Sequence, residues 1–244
     1  MIHLFVVDIE QAKASLFDDT SLVESESFSR VFKNGIVNTK GKNTDTLFTS
    51  ACAYLSLELA FEVIYKKQMP KIMKDNYGKP CFIKDYCGGN IPLFNLSHSK
   101  SLVAICFYNP TDSMELVFSK LGVDIQHHKC LQNKELLETK MPENINNCLQ
   151  NLKKDEISID FLKLSADGKT LEKANGFSRQ DTSVKDGSDK DFFDKWVRTE
   201  AVMKADGRGF GAFSLVPSLL LKACIFSFEF TYNSESYSIA LALL

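Results

Sequence analysis

One segment constrains the fold of this chain more than any other: DFFDKWVRTEAVMKADGRG, which runs from Asp191 to Gly209. Glu200 and Lys204 are four positions apart, so a helix would project both side chains from one face. Gly207 follows them, as is typical of a helix C-terminus. The residues that would form its packed face are Phe192, Phe193, Trp196, Val197, Ala201 and Met203. The segment predicts a packed helix that presents a carboxylate beside an ammonium group, although a simple exposed ion pair would have the same spacing.

A second segment, LGVDIQ at Leu121–Gln126, has the two-residue alternation of a β-strand. Asp124 lies inside this strand, where burying a carboxylate without a partner is costly. A hard cation shared by Asp124 and Glu200 would supply the partner. Mg²⁺ suits such a site because it binds through one or two protein carboxylates and takes its other ligands from water and substrate phosphate.

Two shorter segments lie upstream: Gly78–Pro80, which reads GKP, and Asn95–Ser99, which reads NLSHS and was interpreted as a polar loop. With Gly122–Gln126 and Trp196–Gly207 they resemble, in the same order, the motifs of the 4′-phosphopantetheinyl transferase family. Those motifs are GKP, N-[IL]-S-H-S, G-[VI]-D-x-E and W-x-x-K-E-[AS]-x-x-K-x-x-G. Each motif alone has low specificity, but four of them in order have high specificity.

The resemblance covers the chain from about residue 74 to residue 210 and is weaker toward both ends. It includes two departures: Gln126 stands where many members have Glu, and Thr199 stands where they usually have Lys. The length of 244 residues fits the longer, surfactin-synthetase-activating type rather than the short trimeric holo-acyl-carrier-protein synthases. Loss of two charges would weaken Mg²⁺ binding and remove a cation beside the pyrophosphate.

The resemblance implies an α+β fold of two similar halves in a pseudo-two-fold arrangement. Each half would be a helix packed on a small, mostly antiparallel sheet. Residues 1–115 would form the half that binds the nucleotide of coenzyme A, and residues 116–244 the half with the metal and the catalytic helix. His98 and Asp124 would face the cleft between the halves.

The resemblance also implies an activity: Mg²⁺-dependent transfer of the 4′-phosphopantetheine arm of coenzyme A to a serine of an acyl or peptidyl carrier protein, with release of 3′,5′-ADP. Asp124, Glu200 and Gln126 would hold the metal. Glu200 would also act as the general base, and Lys204 would neutralise a pyrophosphate oxygen. Other residues would contact coenzyme A: Asn95, Ser97 and His98 at a phosphate, Lys79, Pro80 and, more weakly, Lys74 at the nucleotide end.

The 3′-phosphate of coenzyme A needs a separate basic group, and Arg30 is the first choice among Arg30, Lys33, Lys40 and Lys42. The loop His127–Lys129 directly follows the Asp124 strand, so it is predicted to contact the carrier protein.

Two other functions remain open. One is a degenerate relative that binds coenzyme A or a carrier protein without turnover. The other is a Mg²⁺-dependent nucleotidyl transferase of another fold, although the chain lacks the glycine-rich phosphate loop that would favour it.

The amino-acid composition limits the classes of partner and the cellular compartment that we expect for this protein. The net charge of −2 gives no basic field of the kind that nucleic-acid binding usually needs. The N-terminus lacks the basic start of a signal peptide, and no run of about 18 apolar residues indicates a membrane span. The seven cysteines are scattered without a CxxC pair, as expected in a reducing compartment. We therefore expect a cytoplasmic monomer that binds neither nucleic acid nor membrane.

Periodicity predicts the remaining elements. Strands are expected at Ile2–Ile9 and, as neighbours, at Leu102–Phe107 and Leu116–Ile125. A helix should begin at Asp45 and end near Lys66, after a loop-like segment at residues 10–27. Residues 141–190 are polar, so they are predicted to be a poorly ordered insertion with one helix near Ile157–Leu164. Two strands, Ala223–Tyr232 and Tyr237–Leu243, should end the chain.

Overall fold

A computed structural model describes residues 1–33, 43–83, 91–109, 118–129, 150–151, 157–180 and 189–244. The α-helices are α1 (Glu10–Asp18), α2 (Glu26–Lys33), α3 (Thr44–Tyr65), α4 (Asp189–Asp206) and α5 (Val216–Leu220), and 3-10 helices span Thr20–Glu24 and Gly209–Leu215. The strands are β1 (Ile2–Asp8), β2 (Ile72–Lys74), β3 (Pro80–Phe82), β4 (Leu93–Ser99), β5 (Leu102–Tyr108), β6 (Leu121–His127), β7 (Gln150–Asn151), β8 (Ile157–Leu164), β9 (Leu171–Lys173), β10 (Phe177–Gln180), β11 (Cys224–Tyr232) and β12 (Glu235–Leu243).

Most strands belong to two sheets. The first has the order β4-β5-β1-β8-β9, and the second has the order β10-β11-β12-β6, with β7 paired to β11. Most pairings are antiparallel, but β1 and β8 run parallel. Strands β2 and β3 form a separate hairpin. The fold is therefore mixed α+β, as predicted.

The two sheets face each other. Along β1, the side chains of Phe5 and Val7 pack toward α3, whereas Leu4 and Val6 pack against the second sheet. This alternation follows from the two-residue period of a strand that is buried on both faces. Helix α3 covers the outer face of the first sheet, and α4 covers the second sheet through small side chains such as Ala201. The order of layers is helix, sheet, sheet, helix.

Helix α3 differs from the prediction at its first turn. It is capped by Asn43, whose Oδ1 accepts a hydrogen bond from the backbone N–H of Thr46 at 2.8 Å, and not by Asp45. It ends as predicted at Lys66, which adopts a left-handed conformation with φ of 51°. Among the described residues, α3 is the one helix that is long and apolar enough to cross a membrane, with a mean hydropathy of 1.5. Of that apolar window, 56% is buried inside the fold, as in the core helix of many proteins.

Three predictions of secondary structure outside the candidate site are wrong. Residues 10–27 were predicted to be a loop but include α1 and the start of α2. Strands β5 and β6 are not neighbours, because they belong to different sheets. Residues Ile157–Leu164 form strand β8 rather than a helix. Their sequence, ISIDFLKL, alternates in the manner of a strand, but the polar residues on either side obscured the pattern.

The segment at residues 141–190 is not simply a polar insertion. Residues 157–180 of it are described and contain β8, β9 and β10. Strands β8 and β9 extend the first sheet, so a division of the chain at residue 115 does not separate the two sheets. Phe177 on β10 stacks on Tyr232 with ring centroids 4.1 Å apart, and it also lies against Phe161. This segment therefore buries apolar surface in both sheets.

Deletion of residues 170–185 should consequently destabilise the protein instead of being tolerated. The deletion removes β9, β10 and the partly buried ring of Phe177, and the combined loss of two strands and this ring should exceed about 3 kcal/mol, the lower end for loss of a fully buried aromatic side chain. Thermal unfolding followed by circular dichroism should show a fall in Tm of about 10 °C or more. A variant that unfolds within 2 °C of the parent would show that these strands contribute little.

Candidate active site

The candidate site lies where the edge strand of the first sheet, β4, meets the edge strand of the second, β6. The two strands are joined through side chains of the NLSHS motif, which is a strand and not the predicted loop. Alternate residues of the motif face β6, in keeping with the strand period. The contacts are Asn95 Oδ1 with Val123 N at 3.0 Å, Ser97 Oγ with Asp124 Oδ1 at 2.8 Å, and Ser99 Oγ with His127 N at 3.0 Å.

Lys204 of α4 completes a triangle with two of these residues. Its ammonium donates hydrogen bonds to Asp124 Oδ1 at 2.6 Å and to Ser97 Oγ at 2.7 Å. Asp124 is only 5% exposed, so this charged partner offsets much of the cost of burying its carboxylate. The structure therefore brings together residues from three segments that are up to 107 positions apart.

Helix α4 runs antiparallel to β6, and the two elements are in very close contact. At one end the ring of Phe193 stacks on His128 with centroids 4.4 Å apart. At the other end the backbone of α4 approaches Gly122 so closely that a Cβ atom there would lie 2.0 Å from the carbonyl oxygen of Ala201. Glycine at this position lets the helix and strand touch, and their contact fixes Lys204 opposite Asp124.

Glu200 lies one helical turn before Lys204 and is half-buried. Within the described part of the chain, the carboxylate of Glu200 makes no hydrogen bond or ion pair. The simple Glu200–Lys204 ion pair that the helical spacing allowed is therefore not formed. Burial and, to a smaller degree, the neighbouring Asp124 carboxylate raise the pKa of Glu200 from 4.5 to about 7, against the opposing effect of Lys204. Glu200 is thus a carboxyl group that lacks a cation and is poised to exchange a proton near neutral pH.

The donor atoms at this site fit Mg²⁺. The Asp124 carboxylate lies near enough to Glu200 to raise the pKa of Glu200, and two carboxylates are a typical protein contribution to a Mg²⁺ site. Among the described residues, no cluster of three or more His, Cys, Asp or Glu side chains is found. The predicted third ligand, Gln126, follows Asp124 on the same face of β6, but its Nε2 donates to the carbonyl of His127 at 3.0 Å.

Other residues of the predicted coenzyme A site lie further from this cluster. His98 is exposed and lies on the opposite face of β4 from Ser97. Lys79 directs its ammonium to two backbone carbonyls, and burial lowers its pKa to about 8. Lys74 is exposed on β2, and Pro80 lines a groove of about 270 Å³ together with Lys79.

Arg30, the first choice for the 3′-phosphate, lines a separate cavity of about 470 Å³. Its guanidinium lies 3.5 Å from the carboxylate of Glu58, and Lys71 lines the same cavity. Burial raises the pKa of Glu58, while Arg30 opposes that shift. Of the other candidates, Lys40 and Lys42 lie outside the described residues, as does the side chain of Lys33.

Two predictions about individual positions need correction. Thr199 is fully buried and donates a hydrogen bond to the carbonyl of Lys195 at 2.9 Å, so its side chain does not reach the surface of the site. In the loop predicted to contact a carrier protein, His127 is fully buried, because it ends β6 and packs against Tyr237. Only Lys129 of that loop is exposed.

Comparison with known proteins does not assign this chain to a family. No family model and no curated protein matches this chain. The geometry around Asp124 therefore carries the functional argument on its own.

Glu200→Gln should stabilise the metal-free protein at alkaline pH. The pKa of Glu200 is raised in the folded state, so the wild type loses stability as the pH rises from 4.5 through about 7. At about 1.4 kcal/mol per pKa unit, the deficit above pH 7 is on the order of 2 to 3 kcal/mol, and the glutamine variant avoids it. Thermal unfolding at pH 5 and pH 8, with exposed Glu24→Gln as the control, measures the difference. An equal Tm difference at the two pH values would contradict the assignment.

Proposed function

We propose that this chain is a 4′-phosphopantetheinyl transferase, which moves the phosphopantetheine arm of coenzyme A to a serine of an acyl or peptidyl carrier protein. The single observation that carries the proposal is the cluster of Ser97, Asp124, Glu200 and Lys204, which we name the acid–base cluster. Three of the four motifs that resemble the family contribute to it. Chance resemblance of separate motifs gives no reason for them to meet in space.

The chemistry of the cluster suits phosphoryl transfer. The reaction needs a base for the serine hydroxyl, positive charge for the pyrophosphate, and stabilisation of the leaving 3′,5′-ADP. Asp124 and Glu200 would hold Mg²⁺, which when bound supplies positive charge to the phosphate oxygens. No other pair of described carboxylates has this combination of burial, proximity and a lysine partner.

Each residue then has a defined part in the transfer. Glu200, beside the metal and the incoming hydroxyl, would accept the proton of the carrier serine hydroxyl, directly or through a water molecule. The serine oxygen forms a bond to the β-phosphorus of the pyrophosphate, and the bond from that phosphorus to the bridging oxygen breaks. Lys204 is partly exposed, so it can contact a pyrophosphate oxygen while it holds Asp124. Ser97 orients both Asp124 and Lys204 through its hydroxyl group.

The proposal extends to the architecture and to coenzyme A. The layers of α3 on the first sheet and α4 on the second support two related α+β halves with a pseudo-two-fold arrangement. Coenzyme A would lie between them, with its nucleotide toward the GKP hairpin and its 3′-phosphate toward the cavity of Arg30 and Lys71. The protein would act as a cytoplasmic monomer.

The main alternative is a relative that binds coenzyme A or a carrier protein without turnover. Release of 3′,5′-ADP, separated by chromatography, distinguishes the two. A transferase releases it only when coenzyme A, Mg²⁺ and a carrier protein are all present. Binding of coenzyme A without release in the presence of fatty-acid, polyketide and peptide-synthesis carriers would favour the binding protein.

A further inference from the structure

The lysine of the GKP segment has an unexpected position. Strands β2 and β3 form a hairpin whose turn is organised by Asp75, since Asp75 Oδ1 accepts hydrogen bonds from the backbone N–H groups of Tyr77 and Lys79, each at 2.9 Å. Gly78 has φ of 85°, a conformation that favours glycine. The hairpin thereby directs the side chain of Lys79 inward, toward the second sheet.

The Lys79 ammonium joins two of the three elements that form the acid–base cluster, β6 and α4. It donates to the carbonyl of Leu121 at 2.9 Å and to the carbonyl of Ala205 at 3.0 Å. Leu121 begins β6, three residues before Asp124. Ala205 directly follows Lys204 near the end of α4. We name these two contacts the Lys79 bridge.

The end of α4 is a favourable place for such a contact. The last carbonyls of a helix lack intrahelical partners and carry partial negative charge, so a cation is stabilised there. The aliphatic part of Lys79 also passes close to Gly207, where a Cβ would lie 3.5 Å from the Lys79 Cδ. Lys120 and Arg208 bind Asp206 at the same helix end, so three cations converge on it.

We propose that Lys79 is a positioning residue, which fixes the register between α4 and β6 so that Lys204 and Glu200 lie opposite Asp124. This inference rests on the proposed function and changes the part that the GKP segment plays in it. The segment acts mainly by tying the first half of the chain to the catalytic helix, instead of serving mainly as a ligand of the coenzyme A nucleotide.

The geometry explains why a small displacement would matter. Lys204 contacts Asp124 and Ser97 over 2.6 and 2.7 Å, and such charge-assisted hydrogen bonds weaken quickly with distance. Without the Lys79 bridge, the last turn of α4 would keep its packing at Gly122, the contact of Asp206 with Lys120 and the Lys204–Asp124 ion pair, but it would lose its tie to Leu121 at the start of β6. Because Lys204 belongs to this turn, a shift of the turn would displace Lys204 more than any group of the β2–β3 hairpin.

The test combines a structural and a kinetic measurement on Lys79→Met. Methionine keeps most of the apolar stem and removes the charge. The matched control is Lys67→Met, which makes the same change at an exposed position beyond the end of α3. Hydrogen exchange of the peptide that covers the last turn of α4 reports the register directly. Steady-state kinetics separate kcat from KM for coenzyme A.

We expect exchange in the last turn of α4 to become about 10-fold faster, kcat to fall about 10-fold, and KM for coenzyme A to change less than about 3-fold. Lys79→Arg, which keeps the charge, should recover part of both losses and serves as the test if the methionine variant does not fold. The control should resemble the parent in every measurement.

A 10-fold rise in KM for coenzyme A with unchanged kcat and unchanged exchange would overturn the inference and make Lys79 a nucleotide ligand. The exchange measurement does not depend on catalysis. If the parent protein modifies no carrier, the proposed function fails, yet faster exchange in the variant would still support the Lys79 bridge, and unchanged exchange would refute it.

Discussion

Replacement of Asp124 by asparagine is expected to lower the rate of phosphopantetheine transfer at least 100-fold, about 2.7 kcal/mol of transition-state stabilisation. Asparagine keeps the size of the side chain and can still accept a hydrogen bond from Lys204 or Ser97. It removes the negative charge that would pair with Mg²⁺ and with Lys204. Loss of both interactions at a buried position should affect the transition state far more than the fold.

The measurement is transfer to a carrier protein at saturating Mg²⁺ and coenzyme A, with circular dichroism to establish that the variant is folded. The control is Asp18→Asn, which changes an exposed carboxylate at the end of α1. Glu200→Gln should show a loss comparable to that of Asp124→Asn. A folded Asp124 variant that keeps more than about a tenth of the parent rate would contradict the assignment of the metal site.

Among the single substitutions, replacement of Gly122 by alanine should have the largest effect on stability. The added Cβ would lie 2.0 Å from the carbonyl oxygen of Ala201 and 2.4 Å from the backbone nitrogen of Ala205. Both neighbours are backbone atoms of α4, so no side-chain rotation relieves the overlap. The helix must move away from β6, and we expect a loss of about 3 kcal/mol or more of unfolding free energy.

That loss corresponds to a decrease in Tm of about 10 °C for a chain of this size. The matched control is Gly211→Ala, because a Cβ at Gly211 would meet no atom within 4 Å. The control should stay within about 0.5 kcal/mol of the parent. Similar Tm values for the two alanine variants would show that α4 and β6 are not in close contact.

Local sequence patterns were sufficient to predict helix α4 and its partner strand β6. The apolar spacing of residues 191–209 and the φ of 94° at Gly207 agree with the predicted helix and its end. The strand pattern placed Asp124 correctly in β6, and a partner for it was expected because burial of a lone carboxylate is costly. The structure supplies Lys204 as that partner, whereas the sequence argument had assigned this task to a metal alone.

The remaining site could not be derived from local patterns because its contacts are long-range. Ser97 and Asp124 lie 27 positions apart, and Lys79 and Ala205 lie 126 apart. The NLSHS motif contains an alternation of polar residues that indicates a strand facing a polar neighbour, but no local signal identifies the neighbour. The requirement for glycine at position 122 likewise becomes apparent only when α4 is packed on β6.

The central claim, that the acid–base cluster transfers phosphopantetheine, is tested most directly by the intact mass of a carrier protein. The protein is incubated with a carrier, coenzyme A and Mg²⁺, and parallel samples contain either a chelator or a carrier whose acceptor serine is replaced by alanine. The account predicts a mass gain of one phosphopantetheine group only in the complete mixture, and its near-complete loss with Asp124→Asn. An unchanged mass for every carrier tested, or an equal gain in the presence of the chelator, would contradict it.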